Sequence, residues 1–239
     1  MALAHSPIII RNGLITYLDA ANFKSYPGSG TIWSDLTGNG NNGTLTNGPT
    51  YSTTNNGSIV FDGVNDHSIF PVNFFSWPSL TTITISLWFR SNQTTGGTLF
   101  GQQSSTNPSS APNGYVPVIY LRSDGFIRVE PFWTNSTTNN ILSTSALNDN
   151  RWHNVTTTYN SGTNQLFIDG VFNSQRTGLS FFNYTTTYYY ILGAGVAEAR
   201  SLGTNYFSGS ISNFKMYNRA LTEAEIQQNF NALRGRFGI

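Results

Sequence analysis

The sequence predicts an all-β fold: a two-sheet antiparallel sandwich or jelly roll with one short C-terminal helix. Three observations support this fold class. Apolar and polar residues alternate over many short segments, which is the period of a half-buried strand. Turn residues such as Asp169-Gly170 separate these segments. A helical pattern with a capping signal is clear in one segment, which begins after Thr222.

The clearest strand signal is Ile83–Arg90, where Ile83, Ile85, Leu87 and Phe89 share one face. Its other face carries Thr, Ser and Arg, so we expect a half-buried strand. Ten further segments carry similar signals and are predicted strands: Gly13–Asp19, Ser58–Phe61, Ser68–Pro71, Thr98–Gly101, Val116–Arg122, Phe126–Pro131, His153–Tyr159, Gln165–Ile168, Tyr188–Leu192 and Ile211–Tyr217.

Local signals predict one tight hairpin and the bounds of the helix. Asp169-Gly170 is typical of a type I′ turn, which needs positive φ at both central positions. It would join Gln165–Ile168 to Val171–Ser174. Thr222 is a favourable N-cap, and Glu225 three residues later completes a capping box. Gly235 is the expected end of the helix.

Composition excludes several classes of protein. The 239 residues are enough for one large β domain, and only 10% are charged, with a net charge of +1. The polar residues are mainly 28 Asn, 29 Thr and 26 Ser. Nearly balanced charge argues against nucleic-acid binding, and no apolar run is long enough to span a membrane. Without cysteine, and with three well-separated histidines, a zinc or haem site is not expected.

The N-terminal residues suggest where the protein works. MALAHSPIIIR lacks the basic leader and apolar core of a secretory signal, whereas the low charge and Asn/Thr-rich surface resemble proteins that work outside cells. A virion protein, or a chain whose leader was removed, would reconcile these observations. The apolar run Ile8–Ile10 is expected to extend the first strand or to dock on a partner by strand addition.

Six motifs then follow in a recognisable order: Gly13–Asp19, Trp33–Thr44, Phe61–Asp66 with Ile83–Phe89, Trp152–Val155 with Leu166–Gly170, Phe207–Ile211 and Tyr217–Thr222. This order resembles the laminin-G-like jelly roll of the concanavalin A-like lectin/glucanase superfamily. The resemblance implies an N-terminal arm over residues 1–12 and a domain over residues 13–239, with adjacent first and last strands. Trp152, Leu166 and Ile168 would then point inward.

The same resemblance bears on location and partners. Such domains are similar to modules of bacterial surface proteins and of tailed-phage virion proteins. We therefore expect a virion-surface or extracellular protein, such as a capsid decoration, fibre or tail-associated protein. Its partners would be glycans or other virion or surface proteins, with a homo-oligomer left open.

Catalysis is not expected. Glucanases of this fold carry Glu-x-Asp-x-x-Glu, which holds two carboxyl groups about 5 Å apart. None of the four glutamates forms this motif. Glu223 and Glu225 fall in the first helical turn, where acids favour the helix dipole, and Glu130 has no evident partner. A glycoside hydrolase of the same fold and a bacterial surface lectin domain are the alternatives.

Structural calcium is one of two interpretations of the Asp/Asn-rich loops. Asp35, Asn39, Asn41, Asp62 and Asp66 supply the oxygen ligands that calcium prefers, and members of the family often hold calcium near these loops. The alternative is that the carboxylates only build turns through hydrogen bonds to the backbone. At Ser212 the family often has an Asp, whose loss would weaken such a site.

Carbohydrate binding would use aromatic and amide side chains of the polar loops. The candidate residues flank these loops: Tyr115, Trp133, Asn135, Tyr188, Tyr189 and Tyr190. Three consecutive tyrosines of a strand cannot all face inward, so at least one must point outward. An oligomer interface is an alternative use of the same rings, because Tyr and Trp also dominate interface hot spots.

Overall fold

The computed structural model describes residues 7–72, 74, 82–108, 114–130, 140–179, 188–196 and 204–239. Within them lie two antiparallel sheets of eight strands each. Sheet 1 contains β1 Leu14–Asp19, β4 Thr50–Ser52, β5 Ser58–Asp62, β7 Thr82–Arg90, β12 Trp152–Asn160, β13 Thr163–Ile168, β14 Val171–Arg176 and β18 Ser208–Tyr217. Sheet 2 contains β2 Ile32–Trp33, β3 Gly43–Thr46, β6 His67–Ile69, β8 Gly97–Gln103, β9 Tyr115–Leu121, β10 Phe126–Val129, β11 Ile141–Ala146 and β15 Tyr189–Leu192.

The strand order is that of a sandwich built from distant segments. Sheet 1 runs β14-β13-β12-β7-β18-β5-β4, with β1 also paired to β18, and sheet 2 runs β11-β10-β9-β8-β15-β6-β3-β2. The first and last strands are therefore adjacent. A short hairpin of β16 Ala194–Val196 and β17 Thr204–Tyr206, a 3-10 turn at Thr54–Asn56 and the helix α1 Glu223–Phe237 complete the described elements.

The main core lies between the two sheets. Ile83, Ile85, Leu87 and Phe89 of β7 all contribute to it, as the alternation predicted. The opposite face of β7 is buried as well, with Ser86 only 3% exposed, so the expectation of a half-buried strand is wrong on that face. The physical reason is a second layer on the outer face of sheet 1: Thr84 is hydrogen-bonded to the segment that leads into α1, and Trp88 packs against α1 itself.

The Asp169-Gly170 turn has the predicted backbone conformation. The φ angles are +51° at Asp169 and +77° at Gly170, as a type I′ turn requires. Gly170 has a second constraint, because a Cβ atom there would lie 2.8 Å from the Cβ atom of Phe230 on α1. The tight turn thus also lets the helix approach the hairpin.

Helix α1 begins as predicted but ends later. The Thr222 side chain accepts a hydrogen bond from the Glu225 N–H, and the Glu225 carboxylate accepts one from the Thr222 N–H. Hydrogen bonds from Arg219 lower the pKa of Glu225 to about 2. The helix continues past Gly235 and ends at Gly238, which has a φ of +75°. Contacts of the last turn with sheet 1 hold the two extra residues in the helix.

Aromatic stacking fastens α1 to sheet 1. The ring of Trp88 on β7 lies 4.1 Å from that of Phe237 and 5.3 Å from that of Phe230. Trp152 packs against Phe237 in the same cluster. Leu166 faces the inter-sheet core as expected, but the inward orientation expected for Trp152 is wrong. Its register partner Arg90 shares the outer face of sheet 1.

The described part of the arm, residues 7–12, lies along α1. The Ile10 N–H donates to Asn229 Oδ1 at 2.8 Å, and Gln228 Nε2 donates to the Ile8 carbonyl at 2.8 Å. Residues 7–12 contain no strand, so Ile8–Ile10 do not extend β1. Docking of this arm on a partner stays a prediction. In the described part of the chain, no helix is both long and apolar enough to cross a bilayer.

Candidate functional site

One end of sheet 2 brings together side chains from three neighbouring strands. Tyr189 on β15 is paired with Gln103 on β8, and Gln103 is paired with Tyr115 on β9. Paired residues of an antiparallel sheet project from the same face. Tyr190, the next residue of β15, points into the core. The row formed by Tyr189, Gln103 and Tyr115 therefore projects from the outer face of sheet 2. We call Tyr115, Gln103, Tyr188 and Tyr189 the tyrosine end of sheet 2.

Tyr188 completes the tyrosine end by packing against the chain just before β9. A Cβ atom at Gly114 would lie 3.0 Å from the hydroxyl oxygen of Tyr188, so glycine gives the ring its close approach. Tyr188 and Tyr189 are partly exposed, whereas Tyr115 is 9% exposed. Two phenol rings therefore reach the surface here, and the third, that of Tyr115, is buried.

Gln103 places a buried amide between the tyrosines. Its side-chain nitrogen donates to the carbonyl oxygens of Ser105 and Asn107 at 2.8 and 3.2 Å, which fixes the orientation of the amide. Its Oε1 atom has no hydrogen-bond partner among the residues that the structure describes. Leaving such a buried acceptor unsatisfied costs about 1–3 kcal/mol. The Gln103 amide is thus held in one orientation, buried between Tyr189 and Tyr115 of the two neighbouring strands.

Of the other residues that the sequence predicts to bind carbohydrate, Tyr190 does not reach the surface. Tyr190 is 5% exposed, and its ring centroid lies 5.9 Å from that of Phe100 and 5.4 Å from that of Phe74. Burial raises the pKa of its hydroxyl. Tyr190 therefore supports the tyrosine end from the core and is not part of the exposed surface. Trp133 and Asn135 lie outside the described residues.

Polar contacts continue along the outer face of sheet 2. Tyr120 on β9 pairs with Arg128 on β10. The Tyr120 hydroxyl accepts a hydrogen bond from Asn205 of β17 at 2.6 Å, and Arg128 donates to Glu130 at 2.8 Å. Glu130 thus has a partner that the sequence did not reveal. Arg128 follows the alternation of β10 and could have been assigned to the outer face, but its pairing with Glu130 has no sequence signal.

Asp35, Asn39 and Asn41 meet in the loop between β2 and β3. The Asp35 carboxylate accepts hydrogen bonds from the Thr37 N–H at 3.0 Å, the Thr37 hydroxyl at 2.6 Å and the Asn41 N–H at 3.2 Å. It also accepts one from an N–H of β1 at 2.9 Å. The amides of Asn39 and Asn41 both donate to the Ile15 carbonyl on β1. This loop therefore caps the outer edge of β1.

Asp62 and Asp66 form a second hydrogen-bonded turn. Asp62 Oδ1 accepts from the N–H groups of Val64, Asn65 and Asp66 at 2.8, 3.3 and 3.4 Å, and Asp66 Oδ2 accepts from the Asp62 N–H at 3.1 Å. Burial opposes ionisation of Asp62, but these donors outweigh it and lower its pKa. Burial raises the pKa of Asp66. The backbone of this turn is thus fixed by its own carboxylates.

Calcium binding at these loops stays a prediction. Both loops show the hydrogen bonds that the turn-building interpretation requires. Among the described residues there is no group of three or more His, Cys, Asp and Glu side chains placed to hold a metal ion. If calcium binds the folded protein, it should raise the melting temperature, and EDTA should reverse the rise. A melting curve that neither treatment moves would contradict the prediction.

His153 bridges two carboxylates at the end of β12. Its Nδ1 lies 2.9 Å from Asp169 Oδ2, and its Nε2 lies 3.1 Å from Asp149 Oδ1. Burial disfavours the imidazolium, but the hydrogen bonds and charges of Asp169 and Asp149 outweigh it and raise the pKa of His153. With two carboxylate acceptors, both ring nitrogens act as donors in the charged form. This arrangement stabilises the hairpin turn at Asp169.

The His153 bridge should stabilise the protein at low pH. Because the folded-state pKa is raised, its contribution is full below the unfolded value of about 6.5 and is lost as pH rises through the folded pKa. We expect His153→Gln to destabilise the protein more at pH 5.5 than at pH 8.5, as measured by urea unfolding. The quantity to compare at the two pH values is the difference in stability between the native protein and the variant. The stability of the native protein alone would mislead, because the lowered pKa values of His67 and Lys215 make it rise with pH and so oppose the effect of His153. An equal loss at both pH values would contradict the expectation.

Comparison with known families agrees with this architecture. The family model described as the concanavalin A-like lectin/glucanases superfamily matches residues 61–227. The chain therefore belongs to this superfamily. A search of curated proteins finds no match.

Solved structures of low sequence identity share the fold. Domain 4 of AbnA, an extracellular GH43 arabinanase from Geobacillus stearothermophilus in complex with arabinotriose, is 18% identical, with a TM-score of 0.63; the match covers 92% of this chain and 99% of that one. Trypanosoma rangeli sialidase with sialic acid is 14% identical, with a TM-score of 0.67 over 98% of this chain and 36% of that chain. The binding domain of Paraclostridial Mosquitocidal Protein 1 is 17% identical, with a TM-score of 0.63 over 92% of this chain and 52% of that one. This chain thus spans about a third of the sialidase.

Proposed function

We propose that this domain is a non-catalytic carbohydrate-binding module that recognises a glycan at the tyrosine end of sheet 2. The observation that carries the proposal is the row of Tyr189, Gln103 and Tyr115 across three neighbouring strands. The partly exposed phenol rings of Tyr188 and Tyr189 offer apolar faces for sugar rings and hydroxyl groups that can hydrogen-bond to a sugar, while Gln103 lies buried beneath them. The arabinotriose complex of a domain with the same fold supports the choice of ligand class.

The biological setting that we propose is an exposed surface, in the first place that of a phage virion. The support is compositional: the polar surface is built from Asn, Thr and Ser, and only 10% of the residues are charged. Adhesion to a glycan-coated cell would use the tyrosine end for reversible contact. A fluorescently labelled domain should then stain cells that carry the glycan and lose that staining after enzymatic removal of the surface polysaccharide.

The test of glycan binding is an array screen followed by Tyr189→Ala. We expect a specific hit, and at least a tenfold loss of affinity in the variant, because a ring contact that contributes about 1.4 kcal/mol to binding changes the affinity tenfold when it is removed. Phe172→Ala is the matched control, since it removes a ring that is 41% exposed on β14 of sheet 1. If no glycan on a broad array binds, or if Tyr189→Ala binds as tightly as the native protein, the tyrosine end is not a glycan site.

A further inference from the structure

A groove of about 670 Å³ lies beside sheet 1, where the arm, β1 and α1 meet. Its lining includes the apolar residues Ile8, Ile9, Leu14, Leu36 and Ala232. Pockets for small molecules commonly measure about 300–1,000 Å³ and have mostly apolar walls. None of the lining residues that the structure describes belongs to a strand of sheet 2, so the groove is distinct from the tyrosine end.

Two cationic side chains line the groove from separate segments. Arg11 comes from the arm and Lys24 from the turn after β1, and both residues are exposed. In the part of the chain that the structure describes, neither makes an ion pair, whereas nearby Arg219 and Arg236 are paired with Glu225 and Asp19. None of the described lining residues is a carboxylate, but Asp19 and Asp35 lie directly behind two of them: Asp19 accepts a hydrogen bond from the Tyr17 hydroxyl, and Asp35 accepts one from the Thr37 hydroxyl. Asp19 is itself paired with Arg236, so the charges at the surface of the groove are those of Arg11 and Lys24.

Hydrogen bonds to the backbone hold in place the part of the arm that lines the groove. The Ile8 carbonyl accepts a hydrogen bond from Gln228 of α1, and the Asn12 carbonyl accepts one from Arg219 at 3.0 Å. The Ile10 carbonyl accepts a further one from the Tyr217 hydroxyl at 3.1 Å. A wall fixed in this way reduces the ordering cost of binding.

One of the apolar lining residues is also largely exposed. Ile8 is 72% exposed. A large apolar side chain at such exposure is available to cover an apolar ligand. The groove thus combines an apolar lining with two cations that form no ion pair among the described residues.

We propose that this groove binds a single-chain amphiphile with a carboxylate head group. The carboxylate lies beside Arg11 and Lys24, where the attraction between opposite charges favours it. The alkyl chain covers the apolar lining and removes it from water. A cationic head group would meet repulsion from the same two residues, and an uncharged one would lose the attraction.

The experiment compares three probes that share a ten-carbon chain. Sodium decanoate, decanol and decyltrimethylammonium bromide are titrated into the full chain by calorimetry, at low salt and below the concentration at which each forms micelles. We expect decanoate to bind at least ten times more tightly than the other two. Equal affinity for decanoate and the ammonium probe, or no binding of decanoate, would overturn the proposal.

Two pairs of variants locate the site. Arg11→Gln combined with Lys24→Gln should weaken decanoate binding about tenfold, while Arg151→Gln, which removes an 81% exposed cation outside the groove, should leave it unchanged. Ala232→Phe should abolish binding by filling the groove, whereas Ala224→Phe places the same ring on an exposed position of α1. Decanoate binding that survives both the double variant and Ala232→Phe, with unchanged circular dichroism, would overturn the assignment.

Discussion

Replacing Asp19 with alanine is expected to lower the free energy of unfolding by about 3–5 kcal/mol, the usual cost of breaking a buried ion pair from one side. Asp19 Oδ1 lies 3.0 Å from Arg236 Nη1, and the two side chains are 8% and 12% exposed. The variant leaves the Arg236 cation buried. It also leaves Lys215, whose pKa burial lowers to about 7, without the charge that favours its protonation.

Chemical denaturation at pH 7 measures this effect, with Asp124→Ala as the matched control. Asp124 also pairs with an arginine, Arg122 at 3.0 Å, but the two side chains are 48% and 31% exposed. Exposed pairs of this kind contribute at most about 1 kcal/mol. A loss in Asp19→Ala no larger than that of the control would show that water reaches the Asp19–Arg236 pair.

Trp88→Ala is expected to have an effect of similar size, about 3–5 kcal/mol, because it removes a large buried aromatic side chain. Trp88 is fully buried and stacks on Phe230 and Phe237. Without its ring, the last two turns of α1 lose their main contact with sheet 1. We therefore expect increased hydrogen exchange at the C-terminal end of α1 as well as a lower melting temperature.

The control for Trp88→Ala is Phe172→Ala, which removes a partly exposed ring and should cost much less. Trp88→Phe is the informative intermediate, because it keeps an aromatic surface for Phe237 while leaving a smaller cavity. We expect its stability to lie between those of the native protein and Trp88→Ala. A stable Trp88→Ala protein with unchanged exchange in α1 would show that the stacking does not hold the helix.

Long alternating segments were predictable from the sequence, and short or irregular strands were not. The prediction of Ile83–Arg90 agrees with β7, and that of His153–Tyr159 agrees with β12, because each has a full alternating face in the core. The two-residue β2 and the short β3 and β4 carry too few residues for a periodic signal. They exist because neighbouring strands supply hydrogen-bond partners, which the local sequence does not show.

Side-chain orientation was less predictable where α1 covers sheet 1. A strand with one polar face is expected to be exposed on that face, yet Ser86 and Thr84 are both buried, and Thr84 is hydrogen-bonded to the segment that leads into α1. Trp152 was predicted to lie on the inner face, but α1 creates a second apolar layer on the outer face, and Trp152 packs there. Only the tertiary arrangement distinguishes the two layers.

Part of the candidate site was predictable from the run of three tyrosines. Strand alternation required that Tyr188, Tyr189 and Tyr190 not all face inward, and the structure buries Tyr190 while leaving the other two partly exposed. Tyr115 joins them through strand pairing between segments that are distant in sequence. Gln103 was missed, because its local sequence does not show that strand pairing buries this amide between Tyr115 and Tyr189.

The cap on β1 has a consequence for behaviour at high protein concentration. On the free side of this strand, the Ile15 carbonyl already accepts hydrogen bonds from Asn39 and Asn41. The Tyr17 N–H likewise already donates a hydrogen bond to the Asp35 carboxylate. An uncapped edge would be a template on which a second molecule could add a strand. The loop thus occupies the backbone groups with which a second molecule could otherwise pair, and its asparagines disfavour edge-to-edge association along β1.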